Sequence, residues 1–456
     1  MHWIDLLVLG VYVIILLGLG FYRKKHLVDK TNEYILAGRK LSLPGFVITL
    51  VATWYGGILG IGENTYSYGI QTWLIFGLPY YIFAFIFAFF IAGKINQLKS
   101  ISIPDQFHQR FGKTAGVISA LYILIISSPA PYILSIGILL QFAIGIPFGI
   151  ALIISTAISI SYIWAGGFKA IVRTDYYQFS LMFIGFILLL IFSINYTGNF
   201  IDTISSLPEK HLNITGGASI QYIFAWFLIG LWTFVDPGFY QRCAAAESPK
   251  TAQNGILIAV GIWFVFDMLT LITGLYAKAL LSGVEPLFAY PKLGELVLPP
   301  LAYGLFITGL LATIMSTIDS LGFINAVTFG RDILWRIQSK SVLKDNGLEQ
   351  TSIDFIRKGL IVTAFISLSL AFMVPSVVKL WYLIGSIFVP GLVIPFLLSF
   401  SRKKYSILPV MICPVVVGLL WTLIGKFLGE YPLNLEPFYP GIMTSLLMYV
   451  LKGKNG

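Results

Sequence analysis

The sequence predicts an all-α integral membrane protein with 13 transmembrane helices. Of its 456 residues, 57% are hydrophobic and only 11% are charged, and the mean hydropathy is +0.86. A soluble protein of this length would need roughly twice as many charged residues to cover its surface. The chain is also divided into apolar stretches, most of them long enough to cross the hydrocarbon core of a bilayer. A lipid bilayer is therefore its expected solvent.

The predicted spans follow one another closely and leave no room for a soluble domain. We expect each to be a helix, because every backbone polar group must be satisfied inside the hydrocarbon. In order, the spans cover residues 4–22, 44–69, 73–93, 114–142, 147–165, 175–196, 219–240, 254–281, 299–329, 355–376, 378–400, 405–427 and 437–451.

The basic residues predict the orientation of the spans. An odd number of spans places the two termini on opposite sides of the membrane. With the N-terminus outside and the C-terminus cytoplasmic, only five of the 30 Lys and Arg residues fall outside, namely Lys210, Lys278, Lys292, Lys379 and Lys426. This agrees with the positive-inside rule and predicts a multi-pass protein of the cell (inner) membrane. The net charge of +10 then reflects topology and lipid contact, and we expect no nucleic-acid partner.

Two of the predicted spans are interrupted in mid-membrane. Residues 51–60 place glycines after polar and aromatic residues, and residues 230–238 combine Asp236 with a proline and two glycines. Irregular backbone at this depth is tolerated only where it lines a cavity or is buried in protein. Broken helices in corresponding positions of two halves indicate the central site of an inverted-repeat transporter. Close helix packing is the alternative for the glycines, but it does not account for Asp236.

Charged residues inside a span are costly and usually face a cavity or a partner. Four aspartates inside predicted spans are candidates, namely Asp175, Asp236, Asp267 and Asp319. Ser316, Asp319 and Ser320 share one helical face, and hard oxygen donors on one face suit a sodium ion. Capping of a helix is the alternative for Asp175. A hydroxyl bond to its own helix backbone is the alternative for Thr317.

Other classes of protein lack the residues that they need. The two cysteines, Cys243 and Cys413, provide neither a disulfide framework nor a cysteine metal site. The four histidines lie in predicted loops or near the N-terminus, with no His-Glu-x-x-His motif, so we do not expect an enzyme. A channel would need a continuous polar pore, whereas the polar residues here gather around the two interruptions.

Several separated motifs occur in order along nearly the whole chain. They are Glu33–Lys40, Ser102–Gly112, Gly166–Gln178, Gln241-Arg242 with the alanines that follow, and Ala312–Thr317 leading to Arg331-Asp332. With these motifs the chain resembles the sodium:solute symporter family, which includes bacterial proline, galactose and sialic acid transporters.

The resemblance implies a leucine-transporter-like core of two inverted five-helix repeats. One extra helix precedes the core and two follow it. The expected division is an N-terminal helix and basic loop at 1–43, a first repeat at 44–218, a second repeat at 219–402 and two C-terminal helices at 403–456.

The resemblance also implies a site for Na+ as the coupling ion, with no organic cofactor. Its expected ligands are the carbonyls of Ala52, Tyr55 and Thr313 and the hydroxyls of Ser316 and Thr317. Five oxygens without a formal charge suit a monovalent ion that must also leave. Thr313 stands where the family usually has alanine, but its ligand is the carbonyl, so we expect the site to persist.

Family members that bind two sodium ions imply a second cation site at Asp175, Ser316, Asp319 and Ser320. Asp319 departs from the family pattern, in which a serine is more usual. Two carboxylates either strengthen sodium binding or share a proton, because two like charges at close range are not both ionised. We favour sodium, and the proton stays the alternative.

By analogy with the family, the solute pocket involves Thr53, Trp54, Gly56, Gly57, Ser127, Ser128, Trp232, Thr233, Asp236 and Tyr382, with Trp232 as an inner gate. Trp54, Ile58 and Leu59 stand where sugar transporters carry polar ligands, which argues against a hexose. Residues 127–131 contain no arginine, which counts against the sialic acid pattern. Asp236 suits an amino group, and the half-helix amides near Gly56 and Gly57 suit a carboxylate.

The expected function is import of a small organic solute by sodium-coupled symport and alternating access, with a monomer as the functional unit. An amino acid or another amine-bearing compound is the preferred solute. The alternatives are a proton-coupled symporter of the same fold and a sodium symporter for a monocarboxylate, sugar or vitamin.

Overall fold

The computed structural model describes residues 1–22, 30–98, 100–338, 351–373 and 376–451. Apart from turns and an isolated bridge between Leu41 and Ala246, this part of the chain is helical, which confirms the predicted all-α class. Some of the basic residues predicted to be cytoplasmic lie outside the described ranges, namely Arg23, Lys24, Lys25, Lys99, Lys340, Lys344, Lys452 and Lys454.

The helices of the first half begin with a long apolar helix and include a helical stretch of 50 residues that is interrupted at Gly167. They are α1 (Trp3–Phe21), α2 (Lys30–Leu36), α3 (Leu43–Trp54), α4 (Ile58–Tyr68), α5 (Gln71–Phe76), α6 (Leu78–Phe87), α7 (Gly93–Gln97), α8 (Ile103–Phe111), α9 (Lys113–Ile126), α10 (Ala130–Ile144), α11 (Phe148–Thr197), α12 (Phe200–Ser205) and α13 (Glu209–Leu212).

The second half contains the helices around the second interruption and the last apolar helices. They are α14 (Ile220–Ile229), α15 (Trp232–Val235), α16 (Pro237–Ala245), α17 (Pro249–Leu280), α18 (Ala289–Val297), α19 (Ala302–Val327), α20 (Arg336–Gln338), α21 (Thr351–Met373), α22 (Val377–Leu398), α23 (Ile407–Leu428) and α24 (Phe438–Leu451). Segments of 3₁₀ or π geometry are Ala37–Arg39, Ala88–Ala92, Pro286–Phe288, Thr328–Trp335 and Pro432–Asn434.

Serine side chains cap the N-termini of several helices. Ser102, Ser219, Ser248 and Ser376 each accept a hydrogen bond from the backbone N–H three residues later, at 3.0–3.4 Å. Such a cap satisfies one of the N–H groups that the first turn of a helix leaves without a partner. The sequence therefore sets these helix starts locally.

Ten helical stretches of the described chain are long and apolar enough to cross a membrane. The bent pair of α3 and α4 makes an eleventh candidate, and α24 is a shorter apolar helix. The 13 predicted spans differ from this count in two places. Residues 147–165 and 175–196, predicted as separate spans, both lie in the continuous helical stretch α11, which is interrupted at Gly167, and the last predicted span is the short α24.

The chain changes direction inside α11 at Gly167. This residue has φ 58° and ψ −148°, a conformation essentially restricted to glycine. A Cβ there would lie 2.5 Å from the carbonyl oxygen of Tyr34. Gly167 therefore joins two helical parts of α11 at a point where another side chain would clash.

The buried centre of the molecule is α19, which packs along α11 and also contacts α1, α3, α10 and α21. Nearly every residue of α19 is buried, including Thr313, Ser316, Asp319 and Ser320. In a bilayer, helices that are buried on all sides are those shielded from lipid by other helices. The polar residues of α19 thus face protein and not hydrocarbon.

Candidate functional site

The first interruption is a true break between two half-helices. The axis bends by 56° between the end of α3 at Trp54 and the start of α4 at Ile58. A Cβ at Gly56 would lie 2.4 Å from the Cβ of Thr317, and one at Gly57 would lie 2.0 Å from the Trp381 ring. Both glycines are therefore needed for close approach, so the break is pressed against α19 and α22.

Thr317, one of the residues predicted to bind sodium, contacts the end of α3 at this break. Thr317 on α19 donates its hydroxyl to the carbonyl oxygen of Thr53 at 2.8 Å, and it lies 3.3 Å from the carbonyl of Thr313 in its own helix. The own-helix bond is thus the longer of the two. The five predicted ligands are all buried, and they are Ala52, Tyr55, Thr313, Ser316 and Thr317.

The backbone of the break also provides acceptors. The last turn of a helix has carbonyls with no partner one turn further on. At the end of α3, the Thr53 carbonyl accepts from Thr317 and the Tyr55 carbonyl accepts from the N–H of Ile58 at 3.0 Å. Backbone oxygens from α3 and hydroxyl oxygens from α19 are therefore close to one another.

Asp175 lies inside α11, fully buried, so the alternative that it caps a helix is wrong. One carboxylate oxygen accepts the hydroxyl of Ser316 at 2.7 Å, and the other accepts the hydroxyl of Thr49 on α3. A carboxylate that accepts two hydroxyl donors keeps lone pairs for a cation. Asp175 thereby connects α11 with both elements of the predicted sodium site.

Asp319 faces a different part of α11. One oxygen of its carboxylate accepts the hydroxyl of Tyr162, while the other, Oδ1, is buried with no hydrogen-bond partner among the described residues. Ser159 and Gln178 lie beside this carboxylate, and Gln178 Oε1 also lacks a hydrogen-bond partner in the described chain. Buried polar atoms without partners are rare, so Oδ1 of Asp319 is an unusual free acceptor among the described residues.

Ser320 contacts Arg242, a residue that sequence reasoning placed in a cytoplasmic loop. The prediction of a loop is wrong, because Arg242 is fully buried inside the helix α16. Its Nη2 atom lies 2.6 Å from the Thr53 hydroxyl and 3.0 Å from the Ser320 hydroxyl. Nη2 also lies 3.0 Å from the Thr49 hydroxyl, which donates in turn to Asp175. Thr49 thus bridges a buried cation and a buried anion.

The second interruption separates α14, α15 and α16. Asp236 is the N-cap of α16, and its Oδ1 accepts the N–H of Phe239 at 2.9 Å. The same oxygen and Nη1 of Arg242 both lie beside Gly238, where an added Cβ would contact them at 2.9 and 3.3 Å. Asp236 therefore caps α16, and Arg242 is the cation near it.

A cavity of about 130 Å³ lies between the two interruptions. Five of the residues predicted to bind solute line it, namely Thr53, Trp54, Gly57, Trp232 and Asp236. Five others do not, namely Gly56, Ser127, Ser128, Thr233 and Tyr382. The predicted sodium ligand Tyr55 also lines the cavity, so the two predicted sites adjoin.

The hydrogen bonds of Ser127 and Tyr382 explain why they lie outside the cavity. The hydroxyl of Ser127 lies 2.6 Å from the carbonyl of Ile123 and 2.5 Å from Oδ1 of Asn325. Tyr382 donates its hydroxyl to Glu436 in the connection before α24 and stacks on Tyr222. Both side chains thus pack between helices.

Sequence reasoning missed a further break and part of the cavity wall. The predicted span 114–142 is two helices, α9 and α10, separated at residues 127–129. Pro129 and Pro131 were a visible signal for this break, since proline cannot donate in a helix interior. The missed wall residues include Tyr80, Tyr132, Trp381 and the aspartate Asp267, which had been noted without a role.

The sequence model of a protein family, described as the sodium:solute symporter family, matches residues 34–407, which is most of the chain. The chain belongs to the sodium:solute symporter family. The resemblance that was drawn from the motifs is thereby confirmed. Sodium-coupled transport of a small organic solute is the function of this family, and the many apolar helices make this member a multi-pass membrane protein.

Curated relatives of this symporter are similar over most of their length. The osmoregulated proline transporter OpuE of Bacillus subtilis (strain 168) is 26% identical over 479 aligned positions, which cover 97% of this chain and 93% of the relative. The sodium/proline symporter of Staphylococcus aureus (strain JH9) is 26% identical over 392 positions, covering 81% of this chain and 75% of the relative.

Solved structures share the fold of this symporter. A Na+-coupled sialic acid symporter in a substrate-bound, outward-open state matches with a TM-score of 0.82 at 17% identity, covering 100% of this chain and 97% of that one. The nucleobase-cation-symport-1 transporter Mhp1 matches with a TM-score of 0.60 at 13% identity, over 93% and 95% of the two chains. MhsT in complex with L-phenylalanine matches with a TM-score of 0.52 at 15% identity, over 89% and 97%.

Proposed function

We propose that this sodium:solute symporter imports a small amine-bearing solute by alternating access around the break between α3 and α4. The contact that carries this proposal is the hydrogen bond from Thr317 on α19 to the carbonyl of Thr53 on α3. A sodium ion that binds oxygens from both helices holds them in one relative position. Its release on the other side of the membrane frees the broken helix to move.

The proposed sodium ligands are the carbonyls of Ala52, Tyr55 and Thr313 and the hydroxyls of Ser316 and Thr317. Two of these hydroxyls already donate hydrogen bonds, Ser316 to Asp175 and Thr317 to Thr53. A hydroxyl that donates its proton keeps lone pairs on its oxygen, so these bonds orient the ligands and do not occupy them. Five neutral oxygens fit a monovalent ion that has to be released in every cycle.

A second cation site is proposed at Asp175, Ser316, Asp319 and Ser320. Asp175 and Asp319 are both fully buried, and burying a charge without compensation is costly. Arg242 reaches Asp175 only through Thr49. A second sodium ion beside Asp319 would supply the missing positive charge, and we favour this assignment.

Proton coupling is the second candidate, and the environment of Asp319 favours it. Its Oδ1 has no hydrogen-bond partner among the described residues, and neither does the neighbouring Gln178 Oε1. A proton carried on Asp319 would both remove the charge and provide a donor for one of these acceptors. Sodium and a proton are thus alternative occupants of the second cation site beside Asp319.

The proposed architecture has 13 transmembrane helices. Residues 44–218 and 219–402 form two inverted five-helix repeats, with residues 1–43 before them and 403–456 after them. The turn at Gly167 supports this count, because it divides α11 into two helical parts. The breaks after Trp54 and Ile229 then lie at corresponding places, near the start of each proposed repeat.

The proposed orientation has the N-terminus outside and the C-terminus in the cytoplasm, in the cell (inner) membrane. The bias of Lys and Arg toward one set of loops supports it. We propose the monomer as the functional unit, surrounded by lipid, with no organic cofactor, no nucleic-acid partner and no enzymatic activity.

The sodium gradient is an adequate source of energy. One sodium ion gains about 2.3 kcal/mol per 100 mV of membrane potential, and a tenfold concentration gradient adds about 1.4 kcal/mol. Together these support accumulation of the solute on the order of 500-fold for one ion per cycle.

The amine class of solute is supported by the proline transporters among the relatives and by the acidic residues on the cavity wall. Uptake of labelled amino acids, amines, sugars, vitamins and monocarboxylates into proteoliposomes tests the proposal, with sodium and proton gradients imposed separately. We expect uptake of an amine-bearing solute only with the sodium gradient. Uptake that follows a proton gradient without sodium, and is lost in Asp319→Asn, would establish proton coupling instead.

A further inference from the structure

Asp267 on α17 is a charged residue on the cavity wall that has no assigned role. Its Oδ1 lies 2.8 Å from the hydroxyl of Tyr55, and its Oδ2 accepts the hydroxyl of Tyr81. The side chain lines the cavity beside the break between α3 and α4. A carboxylate has about four acceptor positions, so two hydroxyl donors leave capacity on the side of the cavity.

The charge on Asp267 is not balanced by the protein. In the described part of the chain, no lysine, arginine or histidine forms an ion pair with it. The other charged residues among the described lining are Asp236 and Arg242, which lie together beside Gly238. Neither aspartate forms an ion pair within 4.0 Å among the described residues, but Asp236 caps α16 and has Arg242 nearby, so the charge of Asp267 is the less compensated of the two.

Aromatic rings form the wall next to this carboxylate. The ring of Trp54 lies 5.0 Å from Trp263, 5.0 Å from Tyr80 and 6.0 Å from Phe239. Trp263 precedes Asp267 by one helical turn on α17. The Tyr55 hydroxyl lies 3.1 Å from the backbone carbonyl of Trp263. Aromatic faces attract ammonium groups, more strongly where water is excluded.

We propose that Asp267, with the aromatic wall around Trp54, binds the positively charged ammonium group of the solute. The inference rests on the proposed transport function and specifies where its amine-bearing solute is recognised. It moves the anchor for the amine from Asp236 to Asp267, because Asp236 already caps α16 and neighbours Arg242. Asp236 and Arg242 then face the remainder of the solute.

Tyr55 links this anchor to the proposed sodium site. Its hydroxyl contacts Asp267, while its backbone lies in the break and its carbonyl is a proposed sodium ligand. A solute that draws Asp267 toward its ammonium group therefore acts on the residue that also contacts the ion. This single residue provides a direct route for the coupling of solute and sodium.

Binding to the purified full-length protein in sodium chloride tests the proposal by calorimetry. The probes are two pairs of near-isosteres, choline with 3,3-dimethylbutan-1-ol, and L-proline with tetrahydrofuran-2-carboxylate. We expect at least one member that carries a cationic nitrogen to bind at least tenfold more tightly than its partner without one. In Asp267→Asn this preference is lost, while Asp267→Glu retains part of it. Glu63→Gln, which removes an acid of α4 that does not line the cavity, keeps the preference of the wild type.

Other results would overturn the anchor. Equal binding of the partners with and without a cationic nitrogen, no binding of any probe, or an unchanged preference in a folded Asp267→Asn variant each exclude it. The melting temperature and the sodium affinity of the variant show whether it is folded. Sodium-driven uptake of an amine-free solute would keep the transport function and remove the anchor, whereas ammonium binding without sodium-driven uptake would do the reverse.

Discussion

Thr317 in the middle of α19 donates its hydroxyl to the carbonyl oxygen of Thr53, 2.8 Å away in the last turn of α3. The bond crosses from an unbroken helix to a broken one, and Gly56 allows the approach because a Cβ there would touch Thr317. A hydroxyl held in this way has its lone pairs fixed in direction before any ion arrives. The break is thus preorganised from the side of α19.

Replacing Thr317 by valine removes this hydroxyl and keeps the shape of the side chain. We expect the sodium concentration for half-maximal uptake to rise at least tenfold, because one of five proposed ligands is lost, at about 1.4 kcal/mol for a factor of ten. The measurement is the sodium dependence of solute uptake into proteoliposomes.

Thr313→Val is the matched control for that experiment. Thr313 lies one turn earlier on α19, and its hydroxyl donates to the carbonyl of Gly309 in the same helix at 2.7 Å. Its proposed ligand atom is the backbone carbonyl, which the substitution keeps. A sodium dependence that changes as much in Thr313→Val as in Thr317→Val would contradict the proposed ligand set.

Gly56→Ala tests the close packing of the break. The added Cβ would lie 2.4 Å from Thr317 and 2.6 Å from the ring of Tyr132, so one of the three must shift. We expect at least a tenfold loss of sodium-dependent uptake. Gly261→Ala on α17 has no atom within 4 Å of the new Cβ and should leave uptake unchanged. Normal uptake by Gly56→Ala would show that the break does not need this contact.

Asp319→Asn distinguishes the two proposed cations of the second site. If a sodium ion binds there, the variant still transports with a sodium gradient, but the Hill coefficient for sodium falls toward one. The comparison variant is Ser159→Ala, which removes a neighbouring hydroxyl and keeps the carboxylate. Loss of all pH dependence with an unchanged sodium response would instead assign a proton to Asp319.

Much of the fold was predictable from local features of the sequence. The apolar spans, the serine-capped starts and the glycine-rich break after Trp54 all depend on short stretches of residues. The helical conformation of residues 166–174, on both sides of the turn at Gly167, was not predicted, because this polar stretch resembles a loop. It is helical because it packs against α2 and places Asp175 inside the protein.

The site was predictable only in part, because its partners come from distant parts of the chain. The motif Gln241-Arg242 gave no sign that Arg242 would contact Thr49 and Thr53 on α3. In the same way, Asp267 could be recognised as unusual, but its hydrogen bonds to Tyr55 and Tyr81 depend on how three helices pack. Sequence spacing describes one helix face and does not reveal which face opposes it.

The proposed orientation can be tested by cysteine labelling in intact cells. In a variant with Cys413 replaced by alanine, we expect Lys210→Cys to react with a membrane-impermeant maleimide. Lys403→Cys should react only after the cells are opened, because its loop is proposed to be cytoplasmic. The remaining Cys243 is fully buried and provides an unreactive background. The opposite pattern of labelling would invert the topology.

Four charged residues form a buried cluster where α8 packs against the segment Thr328–Trp335 and the start of α20. Asp105 lies 2.6 Å from Arg336 and 3.8 Å from Arg331, and Asp332 lies 2.8 Å from Arg331. The hydroxyl of Ser102 donates to Asp332 at 2.6 Å. All four charged side chains are nearly inaccessible to solvent, so removing one leaves buried charge without compensation.

Asp105→Asn should therefore destabilise the folded protein, by about 3–5 kcal/mol for a broken buried pair. Burial alone would raise the pKa of Asp105, but Arg331 and Arg336 outweigh it and hold the pKa below its ordinary value. A carboxyl whose pKa is lower in the folded state stabilises the protein above its unfolded pKa of about 4 and loses that contribution as the pH falls through the folded value. The melting temperature of the wild type should thus exceed that of Asp105→Asn by several degrees at pH 7, and the difference should narrow below about pH 4.

Asp354→Asn, which breaks the exposed pair with Arg357, is the control and should melt like the wild type at every pH. A difference between wild type and Asp105→Asn that stays constant from pH 7 to pH 3 would show that the charge of Asp105 does not stabilise the cluster.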